Sequence, residues 1–163
     1  MRYNKIRKMD ISNGPGIRVS VFFQGCSFHC KNCFNPETWS FDTGEEFNDE
    51  TINHILDLCN NSHITGLSLL GGEPMHPTNI EGSTKLAKLF KEKYPLKTIW
   101  SWSGFLFEDL KDKEIMKYID ILVDGQYIDE LHDPTLDWIG SSNQRVIDVQ
   151  KSLKSKKIVN YKE

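Results

Sequence analysis

Apolar positions along the chain follow two rhythms, and the alternation between them predicts the fold. Ile17-Arg18-Val19-Ser20-Val21-Phe22-Phe23 alternates and then becomes wholly apolar, as a buried strand does. Gly66-Leu67-Ser68-Leu69-Leu70, Thr98-Ile99-Trp100-Ser101-Trp102 and Ile119-Asp120-Ile121-Leu122-Val123 read as three further strands. Between them the period lengthens. Ile52, Ile55, Leu56 and Cys59 fall on one helical face behind the acidic start Asn48-Asp49-Glu50. Leu86, Leu89 and Phe90 mark a second helix between Asn79 and Tyr94, stopped by Pro95, and a short third helix is predicted over 108–117. Within Asp133 to Val149, Arg145-Val146-Ile147 suits an edge strand, and the lysine-rich stretch 151–163 is expected to be a solvated, frayed tail. Strands alternating with helices imply βαβ units, a mostly parallel sheet and an α/β fold in a single domain over residues 1–150. No internal repeat or low-complexity segment interrupts it.

Each predicted strand ends in a turn. The first follows the turn formers Asn13-Gly14-Pro15-Gly16 and runs into Gln24-Gly25 and a cysteine-rich loop. The others end at Gly71-Gly72-Glu73-Pro74, Ser103-Gly104 and Asp124-Gly125. In parallel α/β sheets, functional loops gather at the carboxyl ends of the strands, so these four motifs are expected on one rim.

The cysteine loop carries the chemistry. Cys26, Cys30 and Cys33 are spaced C-x3-C-x2-C, and three thiolates on so short a loop suit one metal centre. A closed zinc site or an ordinary iron–sulfur cluster takes four ligands, so a set of three leaves one metal position open. Structural zinc is one reading, with His29, Cys59 or a distant histidine as the fourth ligand, but zinc sites usually come in two separated halves. Cys59 sits on a predicted core face, and His29 between two ligands has little freedom to reach the same metal. The other reading is a 4Fe–4S cluster with one iron free of protein ligands.

The remaining bulk properties exclude rather than assign. The 163 residues carry a net charge of −3, with 38% hydrophobic and 26% charged, an ordinary soluble composition with no pull toward nucleic acid or anionic membrane. No apolar run approaches a spanning helix, and Met1-Arg2-Tyr3-Asn4-Lys5 does not open a signal peptide. A cytoplasmic location is expected, where thiols stay reduced and metal chemistry is favoured over disulfides. Asp124 suits ribose or cation binding, or equally a cap. Arg18 and Arg145 suit a carboxylate or partner surface, against exposed ion pairs as the default. Trp100 and Trp102 point the same way from a strand and suit the core. His54, His63, His76 and His132 show no ligand spacing and are assigned no chemistry.

C-x3-C-x2-C after a first strand, with Gly71-Gly72-Glu73-Pro74 after the second, resembles the radical S-adenosylmethionine superfamily. Further segments narrow the resemblance to the activating proteins of anaerobic ribonucleoside-triphosphate reductase. These are Asn13 to Arg18, Gln24 to Asn35, Glu37-Thr38-Trp39, His76-Pro77, Ile99 to Phe105, Val123-Asp124-Gly125 and Gly140 to Arg145. The resemblance implies an incomplete TIM-like (β/α) barrel, and the length agrees, since a full barrel needs roughly 250 residues. It implies that Cys26, Cys30 and Cys33 hold a 4Fe–4S cluster whose fourth iron chelates S-adenosylmethionine. It places Asn32, Cys33 and Phe34 along that cofactor, with Phe34 near adenine (a plain core aromatic being the other reading). It implies that Gly71, Gly72 and Glu73 receive the cofactor's amino group, Glu73 as an acceptor for the ammonium or as the residue that orients the turn, and that Ser103 lies beside them. The implied activity is an oxidoreductase: reductive cleavage to a 5′-deoxyadenosyl radical, which takes hydrogen from a glycine Cα of the reductase. A low-potential donor such as flavodoxin or ferredoxin is implied as electron source. An activase of a formate-lyase-type enzyme and a non-catalytic zinc or iron–sulfur module are the alternatives. Phe34 stands for a common Tyr, Ser103 for Thr, Gln126 for Lys or Pro and Ile139 for Arg; none of these touches the thiolates.

Overall fold

A computed structural model describes residues 1–162. Among them are seven strands in one sheet: β1 (Arg2–Asp10), β2 (Ile17–Gln24), β3 (Glu45–Glu46), β4 (Ile64–Gly71), β5 (Thr98–Ser103), β6 (Ile121–Asp124) and β7 (Arg145–Asp148). Their order is β3-β1-β2-β4-β5-β6-β7. The four predicted strands form the parallel centre, β2-β4-β5-β6, while β1, β3 and β7 extend it antiparallel at the two edges. The helices are α1 (Asp49–Leu58), α2 (Ile80–Lys93), α3 (Phe107–Leu110) and α4 (Val149–Ser155). Asn48 caps α1 by accepting from the Thr51 N–H, while Thr51 Oγ1 accepts in return from the Asn48 N–H.

The period of two in the strands sorts the sheet into two faces. Val19, Val21, Phe23, Leu67, Leu69, Ile99 and Leu122 pack with Ile52, Ile55, Leu86, Phe90 and Val149 in one core that includes every helix. Arg18, Phe22, Ser68, Trp100, Ile121 and Val123 occupy the alternate positions on the opposite face, where Trp100, Ile121 and Val123 meet Trp102, Trp138 and Tyr161.

Three expectations need correction. Strand β1 is invisible to a periodicity reading because it is rich in charge and, beyond Arg2 and Tyr3, which pair with β3, its outer side is open. Its ladder to β2 needs no apolar side chains, and Lys5 and Arg7 lie over the Phe22 ring at 4.8 and 5.0 Å. The helix expected over 108–117 is broken into α3 and a 3-10 turn at Glu114–Lys117. Leu110 and Ile115 are both buried yet five residues apart, which an unbroken helix would place on different faces. Residues 151–161 are not a frayed tail. Asp148 caps α4, Leu153 and Ile158 pack on the core, Tyr161 N–H donates to the Val146 carbonyl, and the Tyr161 ring meets Trp100 at 5.1 Å. The lysines hid a short amphipathic helix that buries about one residue per turn.

The amino ends of the parallel strands are closed by Arg18. Its buried guanidinium donates to Ser68 Oγ (2.8 Å), Thr98 Oγ1 (3.0 Å) and the carbonyls of Pro15, Leu67 and Thr98. Burial brings its pKa down to about 10, well above neutrality. Arg18 is therefore a buried structural cation rather than a surface ion-pair partner. Arg18→Ala is expected to cost about 3–5 kcal/mol by opening a cavity and orphaning these acceptors. Urea unfolding of the two proteins measures it, and a loss under about 1 kcal/mol would contradict this account.

Candidate metal centre

The four strand ends do share one rim. Cys26, Gly72, Glu73, Ser103, Gly104 and Gly125 all line one cavity of about 570 Å³. Every candidate site residue lines it except Asn32, whose side-chain amide donates instead to Asp129 Oδ2 at 2.9 Å.

The junction beneath the cavity is made of backbone. Gly72 N–H donates to the Phe23 carbonyl (2.9 Å) and Glu73 N–H to the Gly25 carbonyl (2.8 Å). Gly25 N–H and Cys26 N–H donate in turn to the carbonyls of Thr38 and Trp39, closing the cysteine loop at its root. Gly71 has φ +111°, and a Cβ at Gly72 would stand 2.6 Å from the Gly25 oxygen and 2.8 Å from the Thr38 oxygen. The paired glycines thus let the end of β4 lie directly on the end of β2.

Glu73 completes this junction. It is 1% exposed, and its carboxylate accepts from Gly104 N–H (2.6 Å), Met75 N–H (2.9 Å) and the Ser103 hydroxyl (2.8 Å). Burial pushes its pKa up to about 7, against the three donors, which favour the ionised form. Both oxygens are committed, so Glu73 orients the rim by tying β4 to β5, and the Ser103 hydroxyl serves the same tie.

The cysteine loop is shaped by left-handed residues at His29 (φ +47°) and Asn32 (φ +56°), and by a Cys33 N–H to Cys30 carbonyl bond of 3.1 Å. Aromatic rings on glycines hold it down. A Cβ at Gly104 would strike Phe28 at 2.5 Å, and one at Gly140 would strike Phe34 at 2.7 Å. Phe34 is nonetheless 63% exposed, its ring edge-on to Tyr127 at 5.0 Å. It is not a core aromatic.

The thiols fit a polynuclear group better than a single ion. Burial pushes the Cys26 and Cys30 thiols up, while the backbone N–H groups of Phe28 and His29, at Cys26, and of Tyr127, at Cys30, pull them back. Among the described residues no three His, Cys, Asp or Glu side chains gather closely enough to hold one metal ion. The three sulfurs instead stand around the wall of one cavity, which suits a cluster that reaches each of them. The rival zinc ligands are elsewhere. His29 stacks on Trp39 at 4.5 Å, and Cys59 is fully buried with its thiol pushed up to about 12 by burial.

Comparison with known proteins agrees. Residues 12–147 match the family model of a 4Fe-4S single cluster domain. Anaerobic ribonucleoside-triphosphate reductase-activating proteins are similar along nearly their whole length. That of Enterobacteria phage T4 is 40% identical, covering 90% of this chain and 93% of its own. Those of Vibrio cholerae and Escherichia coli K12 are 40% and 37% identical, covering 88% and 90% of this chain and 96% and 97% of theirs. The chain belongs to this family.

In this family member, the segment between β6 and β7 supplies a cavity wall that the motif reading left without a role. Tyr127, His132, Gly140 and Gln144 line the cavity, and Gln144 accepts from the Gly140 N–H at 2.8 Å. The Gly140-to-Arg145 motif was the available clue. Asp124 resolves to a cap and ion pair: it accepts from Phe107 N–H (2.8 Å) and from Arg145 Nη2 (2.5 Å). Among the described residues no helix is long and apolar enough to cross a membrane.

Two outcomes follow from the junction. Gly72→Ala is expected to destabilise the protein by about 1–3 kcal/mol, read from urea unfolding, since its Cβ meets backbone oxygens on both sides. For Glu73, a folded pKa of about 7 above an ordinary 4.5 means that the folded state holds the extra proton between those values. Stability contributed here is present below pH 4.5 and lost as pH rises to 7. The stability of the metal-free protein relative to Glu73→Gln should fall by on the order of 3 kcal/mol from pH 4.5 to 7.5. A flat difference across that range would contradict the assignment.

Proposed function

We propose that this protein is a radical S-adenosylmethionine activase of anaerobic ribonucleoside-triphosphate reductase, built as an incomplete (β/α) barrel. The observation that carries the reading is the cavity wall itself: three thiols on one loop, facing strand-end turns whose polar side chains are already committed. The names of relatives covering most of this chain support the same reading.

Cys26, Cys30 and Cys33 would hold three irons of a 4Fe–4S cluster. The fourth has no cysteine left to take it, since Cys59 lies in the core. The chemistry supplied by such a cluster is one electron to the sulfonium of S-adenosylmethionine, releasing a 5′-deoxyadenosyl radical that takes hydrogen from a glycine Cα. Gly71 and Gly72 would give the cofactor's amino group a wall of backbone, with Glu73 and Ser103 fixing that wall rather than touching the ligand. The exposed ring of Phe34 offers a face for adenine. Asn32 would act through its left-handed backbone, which turns the loop between Cys30 and Cys33, because its amide is held by Asp129. The open rim suits a glycine-bearing loop of another protein. A low-potential flavodoxin or ferredoxin would supply the electron, and the cytoplasm is the compartment that keeps such thiols reduced.

Anaerobic reconstitution is expected to give about four irons per chain. Dithionite should then yield 5′-deoxyadenosine, and addition of the reductase should give a glycyl doublet by electron paramagnetic resonance. Cys30→Ala should abolish the deoxyadenosine and Cys59→Ser should leave it unchanged. Protein purified anaerobically with zinc alone would overturn the reading, and a doublet on a formate-lyase-type enzyme but not on the reductase would move it to that partner.

A further inference from the structure

His76, which shows no metal-ligand spacing, reaches the cysteine loop from outside the cavity. It sits in the turn between Glu73 and α2, where its own N–H donates to the Glu73 carbonyl and its carbonyl accepts from Asn79 and Ile80. The backbone there is therefore fixed, and the ring is fixed too. Thr78 N–H donates to His76 Nδ1 at 3.0 Å, and the Phe41 ring packs against the imidazole at 4.6 Å. Phe41 rests in turn on Gly25, the residue before Cys26.

The Thr78 bond decides the tautomer. A ring nitrogen that accepts carries no proton, so in the neutral ring the proton lies on Nε2. His76 Nε2 stands 3.1 Å from Ser27 Oγ, and it must therefore be the donor. Ser27 is the residue after Cys26, exposed on the loop, and among the described residues its hydroxyl has no other hydrogen-bond partner. We propose that neutral His76 is a positioning residue, whose Nε2–H to Ser27 hydrogen bond holds the first turn of the cysteine loop and so sets the direction of the Cys26 sulfur. The relation runs from the second strand-end motif, through one imidazole, to the first ligand. It rests on the reading of Cys26 as a cluster ligand; bonds made directly to a ligand typically set metal affinity by 10–100-fold, and one acting through the neighbouring Ser27 is expected at the lower end of that range.

The geometry supplies two variants that separate the ring's two bonds. His76→Asn keeps an acceptor for Thr78 N–H and cannot reach Ser27. His76→Gln extends an amide to the Ser27 end. In the reconstituted protein, His76→Asn and Ser27→Ala should each release iron to a chelator about tenfold faster than the native chain, the double variant no faster than either, and His76→Gln close to native. In the metal-free protein, tryptic cleavage after the exposed Lys31 should follow the same order while the unfolding midpoint stays unchanged. Nitrogen-15 spectra of that protein should show His76 protonated at Nε2 and bare at Nδ1. Additive single variants, native-like release and cleavage in His76→Asn, or a proton on Nδ1 would overturn the proposal. If the native chain takes no cluster, the activase reading fails by itself, and the cleavage series and the spectra still decide the role of His76.

Discussion

The structure turns on a contact between two pieces of backbone. Where β2 and β4 end, Gly72 and Glu73 donate to the carbonyls of Phe23 and Gly25, at distances that leave no room for a side chain at Gly72. The cysteine loop starts at that point, so the position of its first cysteine is set by a strand ladder prolonged by two bonds rather than by side-chain packing. This is a stiff foundation. Main-chain bonds buried under a rim resist local opening, whereas a loop anchored by exposed side chains would share their mobility.

Glu73 extends the same logic sideways. A carboxylate buried to 1% is costly, and its burial is compensated by three donors drawn from two strand ends. The result is that β2, β4 and β5 finish in fixed relation to one another. Asp124 repeats the device on the next strand, where it caps α3 and pairs with Arg145. Two buried carboxylates thus serve as joints along the rim. Their oxygens are committed to structural bonds, and the cysteines share the cavity wall with His132 and Asp133.

The central strands, the two long helices and the shared rim were readable because each depends on local pattern: apolar period, capping residues and turn formers. What the pattern concealed has common physical causes. Strand β1 is charged because one of its edges is largely open, and α4 is short because a handful of buried residues suffices to dock it. For Glu73 the motif leaves open an acceptor for an ammonium or a residue that orients the turn, and only its bonds to Met75, Ser103 and Gly104 show it tying the turn, since a motif shows which groups are present but not which are bonded to each other. Asn32 is the same case, held by Asp129 from a segment almost a hundred residues away in the chain. His76 shows no metal-ligand spacing because a residue that bonds a neighbouring loop residue needs none.

The two ends of the parallel strands divide labour in a way that explains the placement of charge. At the amino ends Arg18 brings a full positive charge into the interior, yet five bonds to neutral oxygens absorb it, and glycines at 14 and 66 leave its side chain room. At the carboxyl ends the buried carboxylates are tied to donors, Glu73 to Ser103 and Gly104 and Asp124 to Arg145, while Lys31 within the cysteine loop is exposed to solvent. Uncompensated positive charge near the thiols would lower their pKa and invite reactivity without a metal. Burial instead keeps Cys26 and Cys30 above the ordinary thiol range. A cation bound at the loop would offset that cost, so deprotonation of these thiols would be coupled to its arrival. Burial thus works against a free thiolate at Cys26 and Cys30, and the distant cation at Arg18 closes the other end of the parallel strands without contacting the cysteine loop.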